Sequence, residues 1–215
     1  MAAFYTISEW CLRQLFRVLY RHRVFFIGEK APPNTLPKTL SGGAILAANH
    51  ASFLDPPLVA ASWPMPMHFL ASERLFHKPL LGPVIRGLNA HPLGTANEVA
   101  SLKRTARLLQ QGYPVLVFPE GTRTQTGAVI PFKRGIGLLS ARTGCPIVPT
   151  YIHGSFDAWP RDRGFPRLTG RTACVFGEPM YPSEGEEEGS DPYTALADRA
   201  HQAVLELQQW YAANG

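Results

Sequence analysis

The sequence predicts an α/β fold: a single domain whose mostly parallel central sheet is flanked by helices, preceded by an N-terminal amphipathic helix that associates with membrane. Three observations lead there. Short apolar runs of strand length alternate with longer stretches of helical period, the pattern that builds a parallel sheet through crossover helices. Two of those runs, at 115–118 and 147–152, are apolar almost throughout, as strands covered on both faces are. Finally, 19 Gly and 20 Pro in 215 residues exceed the usual share, about 12% together, and imply many turns rather than a helical bundle.

The elements follow in chain order. Near the amino terminus Arg13, Arg17 and Arg21 recur at i, i+4 and i+8, while Ile7, Trp10, Cys11, Leu15, Val18 and Leu19 lie largely elsewhere around a helix. A basic stripe beside an apolar face suits a helix lying in the plane of an anionic membrane surface. It suits equally a first helix packed on the core with its arginines in water. Arg13, Arg17, Arg21 and Arg23 interrupt any apolar run near the roughly 20 residues that a span requires. The segment also lacks the basic start and unbroken apolar stretch of a secretory signal. Residues 1–27 are therefore expected to form this helix region, and 28–215 the main domain.

Beyond Gly42, strands are expected at 44–48, 68–71, 115–118, 147–152 and 172–176, each bounded by Gly or Pro. Helices are expected near 57–61, 79–87, 97–111 and 132–143. Residues 182–192, with Glu186, Glu187 and Glu188, read as a solvated loop, and 193–211 as a last helix with Leu196, Ala200, Val204, Leu207 and Tyr211 along one side. No internal repeat is visible.

Composition narrows the partners. With 45% hydrophobic and 17% charged residues the chain can build a core, which excludes wholesale disorder. A formal charge of +5 favours anionic partners such as phosphate groups or an acidic membrane surface. Nucleic acid is not expected, since no recognisable binding module accompanies the mild basic bias. Cys11, Cys145 and Cys174 are odd in number and widely spaced, which argues against both a disulfide framework and a zinc cluster. His22, His68, His77, His153 and His201 share no metal-ligand spacing, so no metal is expected. Trp63, Phe69, Phe76, Trp159 and Phe165 could line an apolar channel or simply fill core.

Two segments carry chemistry. In AILAANHASFLDPP, His50 directly follows an apolar run and Asp55 comes five residues later. On a straight helix, side chains at that spacing point about 140° apart, and Pro56 biases Asp55 away from helical dihedrals. A turn there would let the carboxylate reach back to the imidazole. A histidine held by a carboxylate is what a general base requires, although Asp55 could instead cap the following helix. In VLVFPEGTRT, a strand runs into a turn in which Gly121 permits close backbone approach and Arg123 offers a planar fork suited to phosphate. Lys133 adds positive charge nearby. Glu120 would repel a phosphate, so its expected part is to orient Arg123 or the turn.

Together these segments resemble the glycerolipid acyltransferase family, the bacterial and organellar 1-acyl-glycerol-3-phosphate acyltransferases and their relatives. NHASFLD at 49–55 is similar to the family's first block, VFPEGTRT at 117–124 to its third, and PIVPTYIHGS at 146–155 to its fourth. The resemblance implies that His50 is the catalytic base and Asp55 its partner. It implies that Glu120, Gly121, Thr122 and Arg123 shape the acceptor's phosphate site, with Lys133 beside them, and that Pro149 belongs to the fourth block. It further implies an acyltransferase domain at 28–215 that moves a fatty acyl group from acyl-CoA or acyl-ACP to a lysophospholipid hydroxyl, most simply 1-acyl-glycerol-3-phosphate. No permanently bound cofactor or metal is implied, and the protein would sit peripherally or monotopically on the cytoplasmic face of the cell membrane. One block departs: where the family's second block ends in arginine, this chain has Gly94 or Thr95 within GLNAHPLGTAN, which leaves Arg86, Lys103, Arg104 or His91 as substitutes, or a different lysolipid as acceptor.

Two other readings of the same residues stay open. His50 and Asp55 could activate water or Ser52 in a lipid or thioester hydrolase, and the arginines could serve a non-enzymatic peripheral membrane protein. There is no G-x-S-x-G elbow, so direct transfer without an acyl-enzyme is the simpler chemistry.

Overall fold

The computed structural model describes residues 2–27, 40, 42–77, 79, 81–93, 98–182 and 191–215. Among the described residues seven strands form one sheet: β1 (Arg23–Phe26), β2 (Ile45–Ala48), β3 (His68–Ser72), β4 (Ala90–Leu93), β5 (Val115–Val117), β6 (Ile147–His153) and β7 (Ala173–Phe176). Their order across the sheet is β1-β7-β6-β2-β5-β3-β4. Every pairing is parallel except β6 with β7.

Two apolar layers cover the sheet. One holds Leu46, Ala48, Leu58, Trp63, Phe69 and Phe176 beneath α1 (Ala2–Leu19) and α2 (Asp55–Ser62). The other holds Ile45, Ala47, Val115, Ile147 and Leu207 beneath α5 (Glu98–Gln110), α6 (Gly135–Thr143) and α8 (Pro192–Asn214). Short helices α3 (Glu73–Phe76), α4 (Leu81–Gly87) and α7 (Ser155–Ala158) complete the chain. Central strands fully buried on both faces have no polar face to show, which is why ILAA and VLV read as unbroken apolar runs.

The topology positions the site. The chain passes from β2 out to β3 and β4, returns to β5 beside β2, then crosses to β6 on the other flank of β2. β2 thus lies where the strand order reverses, and such switch points open a crevice at the carboxyl ends of the strands. Because β5 and β6 both run parallel to β2, the segments following all three emerge at one edge of the sheet.

Most expected elements are found within a residue or two. Residues 23–26, assigned by sequence to the helix region 1–27, instead form edge strand β1, paired with β7; four residues are too few for periodicity to separate helix from strand. β4 and α7 were also missed for their brevity. The second-block positions Gly94 and Thr95 and the glutamates 186–188 lie outside the described residues. Among the described residues no helix is long and apolar enough to cross a membrane.

Helix α1 has two apolar sides. Tyr5 and Phe16 are buried, and Leu12 and Leu19 pack partly against the core. Ile7, Trp10, Cys11, Leu15 and Val18 stand exposed, so protein covers little of the apolar face read from the sequence.

Candidate active site

His50 leaves the end of β2 in a turn, and Asp55 opens α2. The Asp55 carboxylate makes no cap to its own helix. Instead Oδ2 accepts the backbone N–H groups of Ala51 and Ser52 at 2.7 Å each and lies 2.8 Å from Nδ1 of His50. One buried oxygen therefore shapes the turn and holds the imidazole. With Nδ1 so engaged, Nε2 is the ring nitrogen left for a substrate proton. Phe118, just past β5, stacks on the ring at 4.0 Å and an 18° tilt, which fixes its plane. Asn49 clasps the neighbouring strand: its side-chain amide donates to the carbonyl of Ile152 and accepts that residue's N–H.

The 118–124 turn lies beside this pair, tied to it by the Thr124 N–H donating to the His50 carbonyl at 2.8 Å. Gly121 has φ +72°, and Lys133 crosses directly above it, so that a Cβ would stand 2.5 Å from Nζ. Only glycine combines that backbone with that space. Thr122 is exposed at the tip. Arg123 lies over the face of Phe53 at 3.7 Å, and Phe53 in turn leans on Trp159, 5.1 Å away. Nη1 of Arg123 is buried without a hydrogen-bond partner. Burial first, then the like charge of Arg161, press its pKa down, with Asp55 pulling the other way. Among the described residues no carboxylate forms an ion pair with it, and a guanidinium so placed suits an anionic ligand.

Glu120 bonds to the turn. It forms no ion pair with Arg123. Its Oε1 accepts the N–H of Ile130 at 3.4 Å and Oε2 has no partner. Burial pushes the carboxyl up to about 8, against hydrogen bonds from the Ile130 and His50 backbones and with a push from the Asp55 charge. At neutral pH it is largely protonated, so it pins the turn without repelling a phosphate. Pro149 lies inside β6, buried and in register with Ala47, its carbonyl taking the Gly177 N–H; that is a sheet position, away from the surface of the crevice.

Other candidates resolve by position. Ser52 is fully buried and its hydroxyl donates to the Trp159 carbonyl at 2.7 Å, so it is not held as a nucleophile for His50. Cys145 and Cys174 are buried, and burial pushes the Cys174 thiol up to about 12. Arg86 is engaged by the Phe76 carbonyl and ring, and His91 by His68 at 2.8 Å. Trp63, Phe69 and Phe76 are core. Among the described residues no group of three or more metal-ligating side chains gathers. Sequence reasoning missed Phe118, Phe53 and Asn49; the only signal was that each falls inside or beside a block that carries chemistry.

Comparisons with known proteins give the family and the fold. A sequence model of the family described as Acyltransferase matches residues 23–153. A 1-acyl-sn-glycerol-3-phosphate acyltransferase of Cocos nucifera is 31% identical over 157 residues, 71% of this chain and 51% of that one. The Bacillus subtilis protein of the same name is 25% identical over 169 residues, 77% and 81% of the two chains. The crystal structure of the 1-acyl-sn-glycerophosphate acyltransferase from Thermotoga maritima superposes with a TM-score of 0.71 at 26% identity, covering 96% of this chain and 79% of that one. The chain spans about half the length of the plant relatives it matches, 51% and 45% for Cocos nucifera and Brassica napus. The matched stretch contains every candidate residue from His50 to Pro149, and the chain belongs to the acyltransferase family.

Proposed function

We propose that the protein transfers a fatty acyl group from an acyl thioester, of coenzyme A or acyl carrier protein, to the free hydroxyl of a lysophospholipid, in the first instance 1-acyl-glycerol-3-phosphate. The observation that carries this reading is the His50–Asp55 pair, 2.8 Å apart, beside the turn that bears Arg123 and is crossed by Lys133. His50 Nε2 takes the proton of the acceptor hydroxyl as its oxygen attacks the thioester carbonyl. The C–S bond then breaks, and the imidazolium returns the proton to the departing thiolate. Asp55 stabilises the imidazolium and keeps the tautomer, help of a kind that contributes about 10²–10⁴-fold.

Arg123 and Lys133 take the acceptor's phosphate. Next to the turn, Arg161 lines a cavity of about 490 Å³ together with Thr124, Gln125, Phe156 and Asp162. The exposed apolar side of α1 supports peripheral or monotopic attachment to a membrane, the source of the acceptor.

The buried, engaged Ser52 speaks against a hydrolase that uses this serine as its nucleophile. The test is to incubate purified protein with labelled acyl-CoA or acyl-ACP and a panel of lysolipids, and to identify products by mass. Diacyl phospholipid formation that vanishes in His50→Ala is the expected outcome. Free fatty acid without need of an acceptor would overturn it.

A further inference from the structure

The loop 160–171, between α7 and β7, carries Phe165 and Leu168 at 83% and 73% exposure. Around them stand Arg161, Arg163, Arg167 and Arg171. This loop is fastened to the end of α1: the Tyr20 hydroxyl donates to the Arg167 carbonyl at 2.5 Å, and the Gly170 N–H to the Leu19 carbonyl at 3.2 Å. The Arg167 N–H donates to the Ala158 carbonyl at 2.8 Å, which ties the other side to α7. Large apolar side chains held out into solvent by an ordered backbone mark an interaction surface. The next residues of the loop, Thr169, Gly170 and Arg171, lie beside Val18 of α1, which is 76% exposed.

Between α1 and the loop lies a depression of about 370 Å³ lined by Val18, Leu19, Arg21, Thr169, Gly170 and Arg171. Among the described residues no carboxylate side chain lines it. Arg21 is held at φ +44°, an unfavourable conformation for a residue with a Cβ, and strain of this type gathers at binding sites. Two arginines, Arg21 and Arg171, thus line one hollow together with the exposed Val18.

We propose that this seam binds the phosphate of an anionic membrane phospholipid, with Phe165 and Leu168 entering the acyl region next to Val18 and Trp10. The inference rests on the reading of α1 as membrane-facing and extends it to a second element and a defined headgroup site. A soluble phosphate compound would need the arginines alone; the cations rimmed by exposed Phe, Leu and Val match a lipid, anionic at the head and apolar below. The loop leads back to Trp159, which supports Phe53 and through it Arg123. Docking here sets the acceptor-binding turn close to the bilayer from which the acceptor comes.

Vesicle sedimentation without any thioester tests the proposal. The full-length chain is mixed with phosphatidylcholine vesicles, with or without phosphatidylglycerol. The double variant Arg21→Gln/Arg171→Gln is expected to lose partitioning onto the anionic vesicles by about 25-fold, roughly fivefold per arginine, with little change on the neutral ones. Phe165→Ser/Leu168→Ser is expected to weaken binding to both. A charge-matched control, Arg107→Gln/Arg142→Gln on α5 and α6, should bind as the parent does. Equal losses in the control and the seam variant, or unchanged binding after the Phe165 and Leu168 changes, would overturn the proposal. So would displacement from anionic vesicles by millimolar glycerol phosphate, which would assign the hollow to a soluble ligand. Transfer to a short-chain, water-soluble acceptor should persist in the seam variants. If the parent itself transfers nothing, the acyltransferase reading fails while the vesicle result stands by itself.

Discussion

Oδ2 of Asp55 lies 2.8 Å from Nδ1 of His50 while accepting two backbone N–H groups at 2.7 Å from the turn between them. The carboxylate that orients the base also builds the loop that presents it. Asp55→Asn keeps an oxygen for the turn but removes the charge that favours the imidazolium. Its kcat should fall by about 10²–10⁴-fold with little change in KM for the acyl donor. His50→Ala should abolish transfer with an unchanged circular dichroism spectrum.

Replacing Cys11, Cys145 and Cys174 together by Ala should leave transfer intact in a steady-state assay. Two of the three thiols are buried, and direct transfer needs no acyl-enzyme. Loss of chemistry in a folded triple variant would show that a covalent carrier exists.

Glu120 makes stability fall with rising pH. Its carboxyl is raised from 4.5 to about 8 in the fold, so between those values the folded state holds a proton that the unfolded state has released. Stabilisation is complete below the unfolded pKa and is lost as pH climbs through the folded one. Glu120→Gln should therefore gain on the parent as pH goes from 5 to 8, by on the order of 3 kcal/mol, read by denaturant melts at several pH values. In the parent, KM for a phosphate-bearing acceptor should rise above pH 8, where the ionised carboxylate repels it; in Glu120→Gln it should stay flat.

Gly121→Ala meets two obstacles, a backbone at φ +72° and the Lys133 ammonium 2.5 Å from the new methyl group. The backbone alone costs about 1–2 kcal/mol. If Lys133 moves aside, affinity for the acceptor also falls, so a kinetic assay should show a raised acceptor KM together with a lowered melting temperature.

Arg123 stacks on Phe53, which a lysine cannot do. Arg123→Lys should raise the acceptor KM by about 10- to 100-fold, the value of a charged hydrogen bond. Phe53→Leu should produce a smaller rise in the same constant and leave the donor KM alone. A change confined to the donor would place the phosphate elsewhere.

Much of this was legible in the linear chain. His50 and Asp55 could be paired because Pro56 and the five-residue spacing exclude one continuous helix, leaving a turn as the geometry that joins them. The buried strands announced themselves by unbroken apolar character. The protonation of Glu120 was not legible, since it depends on desolvation that no spacing reveals. Phe118 and Phe53 were missed because stacking on His50 and Arg123 joins residues 68 and 70 positions apart in sequence. β1 was missed because an edge strand of four residues carries no period of its own.

What the residues alone determined were the local matters: which segments become strand, helix or turn, and which side chains can serve as base, partner and cation. Backbone dihedral preferences and apolar pattern act over a few neighbours, and that range suffices for them. Whether the outer side of α1 is covered, whether a carboxyl keeps its proton, and which aromatic plane backs which cation were decided only by folding. Each depends on what the sheet brings alongside from far along the chain, and desolvation and stacking exist only once those partners meet.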